Sequence, residues 1–240
     1  MIQIENVTKI YSGKVKAVDR ISLTVNEGEI IGFIGPNGAG KTTTIKMMTG
    51  ILSPDEGSVL LNGIDITKEP LEAKRQFGFV SDNPDIFLRL KGIEYLNFMA
   101  DIYNVDEASR RTRINEMADT FEMTQALNDK ILSYSHGMRQ KIVIMGCLVH
   151  SPNIWILDEP MTGLDPQSAF ALKEMMKKHA EEGNTVFFST HVLEVAEKLC
   201  SKVAIINKGH IAYFGTLEEL KKGYNGMSLE DIFLEVTKNA

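Results

Sequence analysis

A chain of 240 residues that is 43% hydrophobic and 24% charged has enough apolar material to bury a core, which excludes a disordered chain. Its formal net charge of -6 disfavours a nucleic-acid partner, since binding a phosphate backbone normally requires a basic face. The length suits one core with an inserted subdomain, and Cys147 and Cys200, which lack metal-ligand spacing, read as reduced buried thiols.

Met1 leads directly into strand-like residues with no basic leader, so a cytoplasmic chain is expected. Residues Ile2 to Val7 and Ala17 to Val25 alternate as half-buried strands joined by turn chemistry at Tyr11-Ser12-Gly13. They predict a small antiparallel sheet. Tyr11 by itself reads as a surface tyrosine, although a ring on such a turn can stack on a base.

The segment Ile30 to Thr43, IIGFIGPNGAGKTT, carries the clearest chemistry. An apolar β-branched run gives way to Gly35-Pro36-Asn37-Gly38-Ala39-Gly40-Lys41-Thr42-Thr43, and helix formers follow. That is strand, glycine-rich turn and helix N-terminus in the order G-x-x-x-x-G-K-[ST] requires. Backbone N–H groups and the helix dipole make such a turn a polyphosphate nest, with Lys41 a point charge for the phosphates and Thr42 a hydroxyl for Mg²⁺.

The following helix is expected to end near Gly50, with a strand from Ser58 to Leu61 and another at Phe77 to Val80. From Lys91 to Val149 the apolar period becomes helical: Ile93, Leu96, Met99 and Tyr103 share a face, as do Ile114, Met117, Ala118 and Phe121. Ser135 is the expected N-cap of the last helix. The methionines read as core filling, and no apolar run, Ile142 to Val149 included, is long enough to span a membrane. Asn153 to Leu157 is a continuous apolar strand ending at Asp158-Glu159. After a helix from Pro166 to Glu182 come strands at Thr185 to Phe188, Val203 to Ile206 and Ile211 to Phe214, and a capping box at Thr216 to Glu219. Alternating strands and helices imply a mainly parallel sheet covered on both faces.

A glycine-rich phosphate loop together with a buried strand ending in two acids points to a nucleoside triphosphatase. Asp158 suits Mg²⁺, usually through water, and Glu159 is placed to accept a proton from an attacking water. His191, at the end of the next strand, suits the γ-phosphate or that water.

Tyr134-Ser135-His136-Gly137-Met138-Arg139-Gln140-Lys141 resembles the Leu-Ser-Gly-Gly-Gln signature of the ATP-binding cassette (ABC) family. With Tyr11, the loop at Gly35, Asp158-Glu159, Leu164-Asp165 and His191 it matches that family in order over nearly the whole chain. The resemblance implies an α/β fold: a RecA-like P-loop core, an antiparallel β subdomain and an inserted α-helical subdomain. The divisions are residues 1–84, 85–149 and 150–240 of a single nucleotide-binding domain. It implies ATP with Mg²⁺, Tyr11 stacked on adenine, Glu159 as general base, Asp165 in the loop coupling two subunits, and Ser135 with Gly137 on a nucleotide held by the other subunit. Expected partners are a head-to-tail second copy or paralogue and separate transmembrane permease subunits, with the cassette peripheral on the inner face of the membrane.

Two positions depart from the family pattern. Asp82 stands where the family has a glutamine that binds Mg²⁺ and water; Asn83 is the other candidate, while Gln76 precedes the strand. His136 replaces the first signature glycine and Met138 the glutamine. Signatures of this kind resemble those of bacterial exporters of antibiotics, peptides, lipids or polysaccharides. Three competing readings remain: a non-transport ABC protein of translation or DNA repair, which usually has tandem cassettes or a long coiled coil; a P-loop kinase or GTPase; and a non-hydrolysing scaffold. Asn207-Lys208-Gly209-His210 lacks the aspartate a guanine reader needs, and Glu159 and His191 speak against a scaffold.

Overall fold

The computed structural model describes residues 1–224 and 227–238. Strands β1 (Ile2–Tyr11) and β2 (Val15–Val25) pair antiparallel across a turn in which Ser12 and Gly13 take positive φ. Both run longer than the alternation predicts. Irregularities in their register between Ile4 and Val7, Val7 and Lys9, and Lys9 and Ile10 interrupt the two-residue period and hide it in the sequence.

In order follow β3 (Ile30–Ile34), α1 (Lys41–Met48), β4 (Glu56–Leu61), β5 (Ile64–Asp65), α2 (Pro70–Arg75) and β6 (Phe77–Val80). Three α-helices lie between β6 and the next strand, α3 (Gly92–Ile102), α4 (Glu107–Thr120) and α5 (His136–Leu148), with two 3-10 turns, Ala126–Asn128 and Ile131–Ser133, before the last of them. The remainder alternates as β7 (Ile154–Leu157), α6 (Pro166–Glu181), β8 (Thr185–Thr190), α7 (Leu193–Leu199), β9 (Lys202–Asn207), β10 (His210–Gly215), α8 (Leu217–Lys222) and α9 (Leu229–Lys238). The short elements β5, α2 and α7 have no counterpart in the sequence reading.

The small sheet has the order β2-β1-β4-β5 and the large one β10-β9-β3-β8-β7-β6. Pairing in the large sheet is parallel from β9 through β6, and β10 returns from β9 as an antiparallel hairpin. Its central strands are apolar on both faces because both faces are covered. Ile154 and Ile156 pack with Phe33, Ile45, Met48 and the small sheet's Val7 and Val59; Trp155 and Leu157 pack with Tyr95, Phe121, Ile142 and Leu172. Each such buried side chain contributes about 1.5–3 kcal/mol. Met117, Met123 and Met145 lie in the second of these clusters, as core filling requires. This is the α/β architecture of a RecA-like P-loop fold, and it brings the ends of β3, β7 and β8 together.

Candidate nucleotide site

The loop leaving β3 is shaped by close backbone approaches. A Cβ on Gly35 would lie 2.4 Å from the carbonyl of Ile206, and one on Gly40, at φ +111°, 2.5 Å from that of Ala17. Only glycine fits either place. Ala39 is buried, its N–H bonded to Pro36 and its carbonyl to the Gly209 N–H. Among the described residues, the N–H groups of Gly38, Gly40, Lys41, Thr42 and Thr43 have no backbone acceptor, which leaves them for an anion at the start of α1.

Lys41 is 8% exposed, and its Nζ donates to the carbonyls of Gly35 at 2.7 Å and Pro36 at 3.2 Å. Burial pushes its pKa down, against the opposing pull of Glu159 and Asp158. An ammonium so placed gains by meeting phosphate.

At the end of β7, Asp158 is 1% exposed. The Ser189 hydroxyl donates to its Oδ1 at 2.5 Å, and the same oxygen of Ser189 accepts the Glu159 N–H at 2.9 Å. Burial raises the Asp158 pKa, the Ser189 hydrogen bond lowers it, the charges of Asp82 and Glu159 add to the rise, and a hydrogen bond from Thr42 opposes it. Glu159 adopts φ +48°, a strained conformation of the sort concentrated at functional sites. Its Oε2 lies 2.9 Å from Nδ1 of His191, where the imidazole N–H donates to the carboxylate.

These groups surround a cavity of about 270 Å³ lined by Ala17, Asn37, Gly38, Gly40, Lys41, Thr42, Thr43, Asp82, Asp158 and Glu159. Asn83 is not part of the lining, and its Oδ1 accepts the Asp85 N–H instead. Tyr11, at the end of β1, is 41% exposed and lies outside the lining too. The residues present fit a magnesium triphosphate: a cationic lysine, free amides, and Thr42 beside a buried carboxylate. Among the described residues no three His, Cys, Asp or Glu form a metal cluster of their own. That suits an ion held by one or two protein oxygens together with phosphate.

The signature residues occupy the start of α5, where the Ser135 side chain accepts the Met138 N–H at 3.3 Å. Ser135 and His136 are exposed and Gly137 is half-buried. This helix is tied to the loop after Glu159 at several points. Gln140 Nε2 donates to the Pro160 carbonyl at 3.3 Å, and buried Lys141 lies 2.7 Å from Asp165. The Lys141 hydrogen bond, with the N–H and hydroxyl of Ser168, holds the Asp165 carboxyl well below the usual carboxylate range. The His136 ring packs on Gly163, where a Cβ would lie 2.3 Å from Nδ1.

The family model described as ABC transporter matches residues 18–162. The chain belongs to the ABC transporter family. Over 98% of its length it is 34% identical to the ABC transporter ATP-binding protein NatA of Bacillus subtilis, of which it covers 97%. It is 37% identical, over 92% of the chain and 70% of the relative, to the linearmycin resistance ATP-binding protein LnrL of the same organism. With the daunorubicin/doxorubicin resistance ATP-binding protein DrrA of Streptomyces peucetius it shares 35% over 92% of the chain and 66% of the relative.

A solved ATP-binding subunit of an ABC transporter superimposes with a TM-score of 0.94 at 30% identity, covering 99% of each chain. The dimeric cassette MJ0796, in a post-hydrolysis state bound to ADP and Pi, gives 0.82 at 26% identity over 90% of this chain and 99% of that one. This ABC protein is therefore an ATP-binding, ATP-hydrolysing transporter subunit that uses Mg²⁺ with the nucleotide, and cassettes of its kind dimerise.

The sequence gives no individual role to Ser189, Ala17, Gln140 or Lys141, although the last two fall within the segment that resembles the signature. Ser189 had one available signal: it stands two residues before His191 at the end of a strand. Its link to Asp158 nevertheless depends on β8 lying beside β7.

Proposed function

We propose that this cassette works in a head-to-tail pair, with a second copy or a paralogue, and that the pair drives separate permease subunits in the direction of export. One observation carries the reading. Ser135, His136 and Gly137 are absent from the lining of the phosphate cavity in their own chain, yet two of the three are exposed at a helix start. Two-fold pairing gives them a nucleotide held by the other cassette.

In this arrangement Tyr11 stacks on adenine, while Gly35, Asn37, Gly38, Ala39, Gly40, Lys41, Thr42 and Thr43 form the phosphate cradle. Glu159 accepts the proton of the attacking water, and His191 orients that carboxylate and reaches toward the γ-phosphate. Thr42 and Asp158 would hold Mg²⁺, with Asp82 attracting it by charge from the same cavity lining, and the ion when bound neutralises phosphate charge. Asp165 couples the subunits, and residues 85–149 act as a helical subdomain that meets the permease near Asp82. Among the described residues no helix is long and apolar enough to cross a membrane. In this reading the permeases are separate chains and the cassette is peripheral to the inner membrane face. The resistance proteins among the relatives support export.

The test is steady-state ATPase activity against protein concentration, with permease proteins sought by co-purification from membranes. A composite site makes activity per chain rise with concentration until dimers saturate. Constant activity per chain down to nanomolar protein, from a species that stays monomeric, would contradict it.

A further inference from the structure

Three carboxylates and one cation line the phosphate cavity: Asp82, Asp158 and Glu159 against Lys41. Asp158 and Glu159 follow a buried strand, and Ser189 holds both. Asp82 differs from them. It lies beyond the end of β6, is exposed, and adds a charge where a neutral amide would leave the cavity less negative. The one cation is already engaged with the Gly35 and Pro36 carbonyls.

We infer that Asp82 is a specificity-determining residue that makes the cavity reject metal-free ATP and admit the nucleotide as its divalent-metal complex. The inference rests on reading the loop as a triphosphate site. Free ATP brings several negative charges into a cavity whose carboxylates already outnumber its cation; a bound divalent ion cancels part of that charge before entry. Because Asp82 is exposed, water and salt screen its field, so the discrimination should shrink as ionic strength rises. Its action is through charge and needs no direct bond to the metal.

Calorimetric titration of ATP into the full-length protein, in EDTA and in excess MgCl₂, tests this on the wild type and on Asp82→Asn, Asp82→Gln and Asp82→Glu. The two neutral variants should bind ATP in EDTA about tenfold more tightly than wild type while their affinity for Mg-ATP changes less than about threefold. Asp82→Glu, which keeps the charge, should behave as wild type. Neutral variants that bind metal-free ATP no more tightly than wild type would overturn the inference. So would a loss confined to Mg-ATP, which would make Asp82 a metal ligand. A wild type that binds neither form would defeat the reading of the loop itself.

Discussion

His191 Nδ1 and Glu159 Oε2 lie 2.9 Å apart, joining the end of β8 to the acid that follows β7. The carboxylate is mostly covered, with 22% of its side chain exposed, whereas the histidine is 63% exposed. The second imidazole nitrogen is thus available to a group arriving from solvent. A strained Glu159 backbone, held by Ser189, together with this contact, fixes the carboxylate against rotation.

Removal of the histidine should therefore harm turnover more than binding. For His191→Ala we expect ATPase kcat to fall about a hundredfold while the ATP dissociation constant shifts less than about threefold. Steady-state kinetics paired with calorimetry provides the check, and equal losses in both quantities would place His191 in binding instead.

The pair Lys141 and Asp165 predicts an asymmetry in stability. Lys141 is buried, while Asp165 is half-exposed and also caps α6 through the Ser168 N–H at 2.9 Å. Asp165→Ala removes the cap and strands a buried ammonium, at a cost of about 2–3 kcal/mol. Lys141→Met leaves Asp165 its cap bonds and its water, so it should cost under about 1 kcal/mol. Urea unfolding of both variants measures the difference, and equal costs would contradict the assignment.

Acid sensitivity follows from two histidines away from the site. Burial pushes His150 and His179 down to about 4, so near pH 5 the unfolded chain binds protons that the folded chain refuses. Their contribution to stability is complete above about pH 6.5, is lost as the pH falls toward 4, and levels off below; each accounts for at most about 3 kcal/mol. Urea midpoints should fall across this window. Replacing His179 by Gln, or His150 by Phe so as to keep its stacking on Tyr103, should flatten the slope.

The legible parts of this protein were those written in local pattern. The loop from Gly35 to Thr43, the apolar run before Asp158, the N-caps at Ser135 and Thr216 and the helical period between Lys91 and Val149 each need only neighbouring residues to be recognised. The obscure parts depend on strand order and close packing. Ser189 meets Asp158 only because β8 inserts between β3 and β7, and the His136 ring lies on Gly163 only because α5 abuts the loop after Glu159. β1 and β2 extend beyond their alternating residues because bulges break the two-residue period, and α2 and α7, at six and seven residues, are too brief to show a period.

The central claim is that each ATP site is completed by a second cassette. Glu159→Gln keeps size and hydrogen bonding but removes the proton acceptor, so hydrolysis should nearly stop with nucleotide bound, and bound ATP should favour the closed pair. Size-exclusion chromatography with light scattering, run on Glu159→Gln at saturating Mg-ATP, measures this directly. The account predicts a shift from monomer to dimer that depends on ATP and is reversed by adding Ser135→Arg, which places a bulky side chain against the facing phosphate. A Glu159→Gln protein that binds ATP yet stays monomeric, both alone and mixed with the paralogous cassettes of its own cell, or a double variant that still dimerises, would contradict it.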